Sequence, residues 1–353
     1  MTIQTQNTHL ATPLLGGLIG ELRQMIDQAR ESVASTVNAS LTTLYWRVGN
    51  RILKEILQDT RAEYGRKIVV TLSQQLAIEY GNGFNDKNLR RMIQFAEVFD
   101  EQIVVSLIRQ LTWTHFIALI PLKDDLKRDF YAQMCRIERW NVKTLRKKID
   151  SMLYERTALS KKPEMLAKAE LEALRQEDKL TPGLVFHDPY FLEFLRLNDR
   201  YLEKNLEDAV MRELEQFLLE LGSGFSFLAR QKRIIIDEED FKIDLLFFHR
   251  DLKRLIVIEL KIGNFKAEYK GQMELYLRWL DKHERRPGEE SPIGLILCAG
   301  KKQEQIELLE LGRSGIHVAD YLTILPPKEV LRAKFLKAVE DAQKRLQEED
   351  ESD

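Results

Sequence analysis

The sequence predicts two folds in series, an all-α N-terminal domain containing a helix-turn-helix and a C-terminal α/β domain. Three observations predict this. Apolar residues recur at helical spacing through the N-terminal part, as in Leu14, Leu18, Ile19, Leu22 and Ile26, then Leu41, Leu44, Tyr45, Val48, Ile52 and Ile56. Gly81-Asn82-Gly83 interrupts two helical patterns with a tight turn. Beyond Gly222 the pattern changes to short apolar runs of strand length.

The elements follow in order. One long helix or two in register cover 14–56, and a second helix covers about 66–79. Asn85 is the expected N-cap of a helix over 86–99, which opens with Lys87, Asn88, Arg90 and Arg91. Further helices are expected near 102–110, 113–120, 123–137 and 142–153. Residues 156–183, rich in Lys, Glu and Ala and ending in Thr181-Pro182-Gly183, read as a charged linker, a helical connector followed by a turn, with a domain boundary there. A strongly apolar helix over 205–221 ends at Gly222. Strands follow at 225–237, 241–249 and 253–262, a helix at 266–281, a strand at 293–299, a helix at 303–311 and a strand at 315–321. A last helix covers 328–347. The resulting domains are 14–155, the linker 156–183, the α/β domain 184–326, and a C-terminal helix with acidic tail at 327–353.

Composition narrows the class. Hydrophobic residues are 44% and charged residues 31% of the chain, which supports globular cores and argues against long disorder. The net charge of −2 is unevenly spread: residues 1–155 hold 21 Lys and Arg against 17 Asp and Glu, a surplus of four, and the rest carries a deficit of six. Two cysteines, Cys135 and Cys298, cannot make a tetrahedral zinc site. His115 has no second histidine at metal spacing, and no phosphate-binding Walker loop is present. The first thirty residues lack the basic-then-apolar pattern of a secretory signal, and no apolar run reaches the roughly 20 residues of a membrane span. A cytoplasmic protein with no membrane partner is expected.

The chemistry is concentrated in two segments, Phe241-Lys242-Ile243-Asp244-Leu245-Leu246-Phe247-Phe248 and Leu255-Ile256-Val257-Ile258-Glu259-Leu260-Lys261. Both read as central strands, where an unpaired charge is costly. Glu259 and Lys261 are two apart and share one strand face. The short connection His249–Lys253 makes the strands antiparallel and can bring Asp244 beside Glu259. Neighbouring carboxylates repel, and a divalent cation reverses that penalty. Oxygen donors suit Mg²⁺ or Mn²⁺, held by Asp244, Glu259 and the Leu260 carbonyl, with Lys261 stabilising transition-state charge. The bland alternative is a structural ion pair among these residues. Lys242, Lys266 and Lys270 flank the site, as phosphate contacts or as a solvated face. Lys87, Arg90 and Arg91 suit either DNA contact or protein interaction.

These residues carry a resemblance. Ile243-Asp244 followed by Glu259-Leu260-Lys261 resembles the PD-(D/E)XK motif of restriction-endonuclease-like nucleases, with Ile243 in the proline position. The wider pattern is similar to the YhcG-type nuclease family. It runs from Phe217–Gly222 through Gln231, Phe265, Gly271-Gln272-Met273 and Tyr276-Leu277 to Gly294–Cys298. The N-terminal part is similar to that family's helical domain at Asn38, Tyr45-Trp46, Gly49, Leu72-Ser73, Gly83-Phe84, Asn88-Leu89, Met92, Phe95, Leu111, Trp113, Phe130-Tyr131 and Trp140.

The resemblance implies a further acidic residue facing the metal on the helix before the sheet, Glu207 with Glu213 as its rival, a solvated helix charge being the alternative for either. It implies Gln272, one helical turn before Tyr276, beside the active site, and Gln231 near DNA phosphate or simply on an exposed strand. The expected function is a Mg²⁺-dependent endonuclease acting on DNA, with RNA as a further substrate class. A homodimer would serve double-strand cutting. The alternative is a nucleic-acid-binding or protein-assembly module that keeps the nuclease fold.

Overall fold

A computed structural model describes residues 12–57, 62–195 and 203–350. The chain divides into two compact units, residues 1–146 and 147–353. No described helix is long and apolar enough to cross a membrane.

The first unit is helical. It contains α1 (Thr12–Leu57), α2 (Ala62–Tyr80), α3 (Asp86–Val98), α4 (Glu101–Leu107), α5 (Trp113–Leu119), α6 (Asp125–Ile137) and the start of α7 (Val142–Asp150). The expected 14–56 pattern is thus one continuous helix. Every side chain from Ile19 to Asn38 is exposed within this unit, and packing starts at Thr42. There Gly49 lets α1 cross α3 closely, since a Cβ at Gly49 would lie 1.8 Å from the Met92 carbonyl oxygen. The aromatic core gathers Phe95, Phe99, Phe116 and Trp113, and the Trp46 indole donates to the Phe99 carbonyl at 2.7 Å. Between α2 and α3 the chain makes one 3-10 turn at Asn82–Phe84. The Asn85 side chain caps α3 by accepting from the Asn88 N–H at 2.9 Å, as the sequence predicts. His115 is buried and serves a capping box with Thr112 at the start of α5, its other ring nitrogen 3.0 Å from the Trp140 carbonyl oxygen.

The second unit adds α8 (Leu153–Arg156), α9 (Glu164–Glu177), α10 (Pro182–Val185), β1 (Tyr190–Phe191), α11 (Glu203–Arg212), α12 (Leu214–Leu221), β2 (Phe225–Ile236), β3 (Glu239–His249), β4 (Arg254–Leu260), α13 (Glu268–His283), β5 (Ile293–Cys298), α14 (Gln303–Leu308), β6 (Ile316–Leu322) and α15 (Lys328–Asp350). One mixed sheet has the order β1-β6-β5-β4-β3-β2. The β2-β3-β4 meander is antiparallel, and β4, β5, β6 and β1 are parallel.

One sheet face packs on α11 and α12 through Leu206, Ala209, Val210, Phe217 and Leu221. The other packs on α13 through Met273, Tyr276, Leu277 and Leu280. Gly294 on β5 permits that second contact, because a Cβ there would sit 2.4 Å from the Met273 sulfur.

Two expectations need revision. Residues 156–183 contain the expected connecting helix, α9, but it is packed and not simply solvated: it buries Ala167, Leu171 and Leu174, an i, i+4, i+7 stripe inside a charged segment. Arg156 is 1% exposed, pairs with Glu220 at 2.6 Å and lies 3.9 Å from the centre of the Phe191 ring. The unit boundary falls earlier, at 146/147. The helix expected at 205–221 is two helices, because the backbone at Glu213 leaves the helical region. The two-residue strand β1 is too short for a periodic signal.

Candidate active site

The site forms where two paired strands part. The β3–β4 ladder runs from His249↔Arg254 to Leu245↔Ile258 and stops there. Past that point, side chains take over the backbone groups. Asp244 Oδ2 accepts the Leu260 N–H at 3.0 Å, and Glu259 Oε1 accepts the Asp244 N–H at 3.1 Å. On the other side the Lys261 N–H donates to the Leu297 carbonyl at 2.8 Å, which ties the end of this segment to β5. Lys261 Nζ donates to Glu259 Oε2 at 3.1 Å. Glu259 is 3% exposed and Lys261 9%.

Burial, joined by the nearby Asp244 charge, pushes the Glu259 carboxyl up to about 7, against the opposing pull of Lys261 and the Asp244 N–H. A buried carboxylate held against a second carboxylate is relieved by a proton, by the Lys261 ammonium or by a bound cation. That donor chemistry fits a hard divalent cation.

Among the described residues, no three His, Cys, Asp or Glu side chains converge as a ready-made cage. Magnesium does not demand one, since it commonly takes one or two carboxylates and completes its shell with water and substrate phosphate. Of the two acidic candidates before the sheet, Glu207 is buried and Glu213 exposed. Glu207 reaches the pair through Gln231, whose amide donates to Glu207 Oε2 at 2.7 Å and to Asp244 Oδ1 at 3.2 Å. Gln231 thus sits on carboxylates, not on an open strand face. Its φ of +48° is left-handed, which costs energy for a residue with a side chain and accompanies a gap in the β2–β3 pairing opposite Asp244.

The neighbouring residues sort by their partners. Gln272 Nε2 donates to the Tyr276 hydroxyl at 2.6 Å, and that hydroxyl donates to the Lys242 carbonyl at 3.1 Å. Tyr276 is core, as its burial shows, and its hydroxyl pKa is raised chiefly by desolvation, with Glu259 and Asp244 adding to it. The Lys242 and Lys266 side chains are exposed. Lys270 is held by the Leu309 carbonyl at 3.0 Å and by Glu274 at 3.5 Å, so its ammonium is already committed on α13. In the first unit Lys87 is exposed, while Arg90 makes two bonds to Asp86 at 2.9 and 3.0 Å and Arg91 lies 3.5 Å from Asn88 Oδ1.

Two residues escaped the sequence reading. Arg230 pairs with Glu207 and Asp208 from β2 to α11, a contact across 22 or more positions that no local pattern signals. Tyr269 places its ring 5.2 Å from Lys261 Nζ.

The sequence matches the YhcG PDDEXK nuclease domain over residues 184–336 and the DUF1016 N-terminal domain over residues 21–156. It is 33% identical to the Escherichia coli (strain K12) protein named "Putative nuclease YhcG", across 92% of this chain and 90% of that one.

The chain belongs to the YhcG nuclease family.

The family assignment covers both units, and the second carries the nuclease domain. Solved structures similar to part of the chain include a repair endonuclease from Pyrococcus abyssi, with 20% identity, TM-score 0.25, and coverage of 37% of this chain and 50% of that one. An EndoMS-dsDNA2 complex matches with 21% identity, TM-score 0.26, and coverage of 37% and 48%. The chain spans about half the length of each of these two structures.

Proposed function

We propose that this YhcG-family nuclease is a divalent-metal-dependent endonuclease that hydrolyses DNA, with Asp244, Glu259 and Lys261 as its catalytic core. The observation that carries this reading is the mutual clasp of Asp244 and Glu259 at the open end of β3 and β4, with the Lys261 ammonium 3.1 Å from Glu259. Asp244 and Glu259, with the Leu260 carbonyl, would hold Mg²⁺ or Mn²⁺. Once bound, such an ion acidifies a water and offsets charge on the scissile phosphate.

The protein groups have distinct tasks. Asp244 is fixed by the Leu260 N–H and by Gln231, so its carboxylate is preorganised. Glu207, itself paired with Arg230, anchors the Gln231 amide against Asp244. Lys261 donates a hydrogen bond to the attacking water or to a phosphoryl oxygen as negative charge develops there. Gln272 holds the Tyr276 hydroxyl against the edge of β3 and keeps the floor of the site in place.

DNA is favoured over RNA by the helix-turn-helix of the first unit, whose second helix presents Lys87 and Arg91 as phosphate ligands. Lys242 and Lys266 are exposed and suit the same role, whereas Lys270 is partly buried and held by the Leu309 carbonyl and Glu274. A homodimer would place two such sites on the two strands of a duplex. The test is the purified full chain with Mg²⁺, Mn²⁺ or EDTA on linear, circular, single-stranded and branched DNA and on RNA. Metal-dependent cleavage of DNA is expected. Cleavage confined to RNA, or no cleavage by the metal-loaded chain on any substrate, would contradict the reading.

A further inference from the structure

Lys261 has a second neighbour besides Glu259. Its Nζ lies 5.2 Å from the centre of the Tyr269 ring. A cation within about 6 Å of an aromatic face is attracted by the ring quadrupole, and more strongly when it is removed from water. Lys261 is buried, so the contact is of the stronger kind.

Tyr269 stands in the first turn of α13 and packs partly buried against that core. Phe265, itself buried, braces its ring edge-on at 6.1 Å with planes at 79°. Lys266 also lies 5.9 Å from the same ring, but it is exposed and pairs with Glu268 at 3.4 Å.

Glu259 has two demands on it. It pairs with Lys261, and in the proposed reaction it also binds a metal cation. A carboxylate shared in this way attracts the ammonium less. The face of Tyr269 carries no net charge to share, so its pull on Lys261 persists.

We infer that Tyr269 is a positioning residue for Lys261, its ring face holding the ammonium beside Glu259 when that carboxylate would also serve a metal. This inference rests on the proposed catalytic role of Lys261. It assigns a role to an aromatic face. The Tyr269 hydroxyl plays no part in it.

The test compares Tyr269→Phe with Tyr269→Leu in the full chain, with melting temperature, kcat, KM and lysine ¹³C-methylene NMR. The Lys261 signal is assigned by its loss in Lys261→Arg. Tyr269→Phe should keep kcat within about twofold and keep the ring-shielded Lys261 signal. Tyr269→Leu should fold, lose that shielding and lower kcat about tenfold at unchanged KM. A folded Tyr269→Leu with wild-type kcat, an unmoved Lys261 signal, or an effect confined to KM would overturn the inference. The NMR comparison needs no cleavage. The contact therefore stands or falls on it even if Lys261→Met turns over at the wild-type rate, an outcome that would overturn the catalytic reading instead.

Discussion

Asp244 and Glu259 each hold the other's strand: the Asp244 carboxylate accepts the N–H that follows Glu259, and the Glu259 carboxylate accepts the N–H of Asp244. This arrangement separates structural from electrostatic roles. Asp244→Asn keeps an acceptor for the Leu260 N–H and removes the charge. The metal-free melting temperature should stay level or rise, since carboxylate repulsion is relieved. The stabilisation by Mn²⁺, about 2.7 kcal/mol at a hundredfold excess over Kd in the wild type, should disappear. Calorimetry reads both effects, and equal Mn²⁺ affinity in the variant would contradict the ligand set.

The Glu259 carboxyl gives a pH prediction with a definite sign. Its folded pKa of about 7 lies above the ordinary 4.5, so the folded chain binds this proton more tightly than the unfolded chain. Metal-free stability from this group is therefore greatest below about pH 4.5, falls as pH rises toward 7, and levels off above. The total change is up to about 3 kcal/mol. His187 and His249, which are buried, and His317, which is partly buried, have pKa values lowered chiefly by desolvation and act with the opposite sign below about pH 6.5. The comparison is therefore wild type against Glu259→Gln. Urea denaturation without metal at pH 5, 6, 7 and 8 should show the variant gaining on the wild type as pH rises. Parallel stability curves would contradict the raised Glu259 pKa.

Phosphate contact by α3 predicts a change in salt dependence. Because Arg90 is engaged by Asp86, Lys87 and Arg91 should carry most of the effect. Lys87→Gln with Arg91→Gln should weaken DNA binding and flatten the plot of log affinity against log salt by about two phosphate contacts. Adding Arg90→Gln should change the slope less than either of the others. An unchanged slope in a folded double variant would move this helix to a protein-interaction role.

Arg156 supplies a stability prediction in the segment expected to be a linker. It is 1% exposed, pairs with Glu220 at 2.6 Å and donates to the Pro189 carbonyl at 2.8 Å. Arg156→Ala should cost about 3–5 kcal/mol by leaving Glu220 without its cation. Arg156→Met with Glu220→Gln should recover much of that loss. Urea titration of the second unit's transition measures it, and a cost under about 1 kcal/mol would show the pair to be dispensable.

The meander and the meeting of Asp244, Glu259 and Lys261 were legible because two apolar strands interrupted by these charges leave few other arrangements, and the short hairpin connection fixes which residues meet. The Asn85 cap was legible for the same local reason. The packing of Arg156 on Glu220 and Phe191 was not, because a charged composition hid both the α9 stripe and a cation that becomes buried only after the chain folds. Nor could the sequence show that Gln231 bridges Glu207 and Asp244. That contact needs a left-handed backbone at Gln231 and a helix brought from 24 positions away. Nor does helical position alone reveal that the Lys270 ammonium is engaged by the Leu309 carbonyl.

The central claim is that Lys261 acts in the reaction and is not merely the partner of Glu259. Lys261→Ala removes the ammonium and leaves both carboxylates. If Lys261 stabilises charge that develops on the phosphate or the attacking water, cleavage should fall at least about 10²–10³-fold per folded molecule. If it is only an ion-pair partner, its loss would lower stability and leave turnover intact. The deciding measurement is the metal-dependent cleavage rate of Lys261→Ala, normalised to the folded fraction from its own melting curve. The account predicts a folded protein with little or no cleavage. A destabilised variant that still cleaves at the wild-type rate per folded molecule would contradict it.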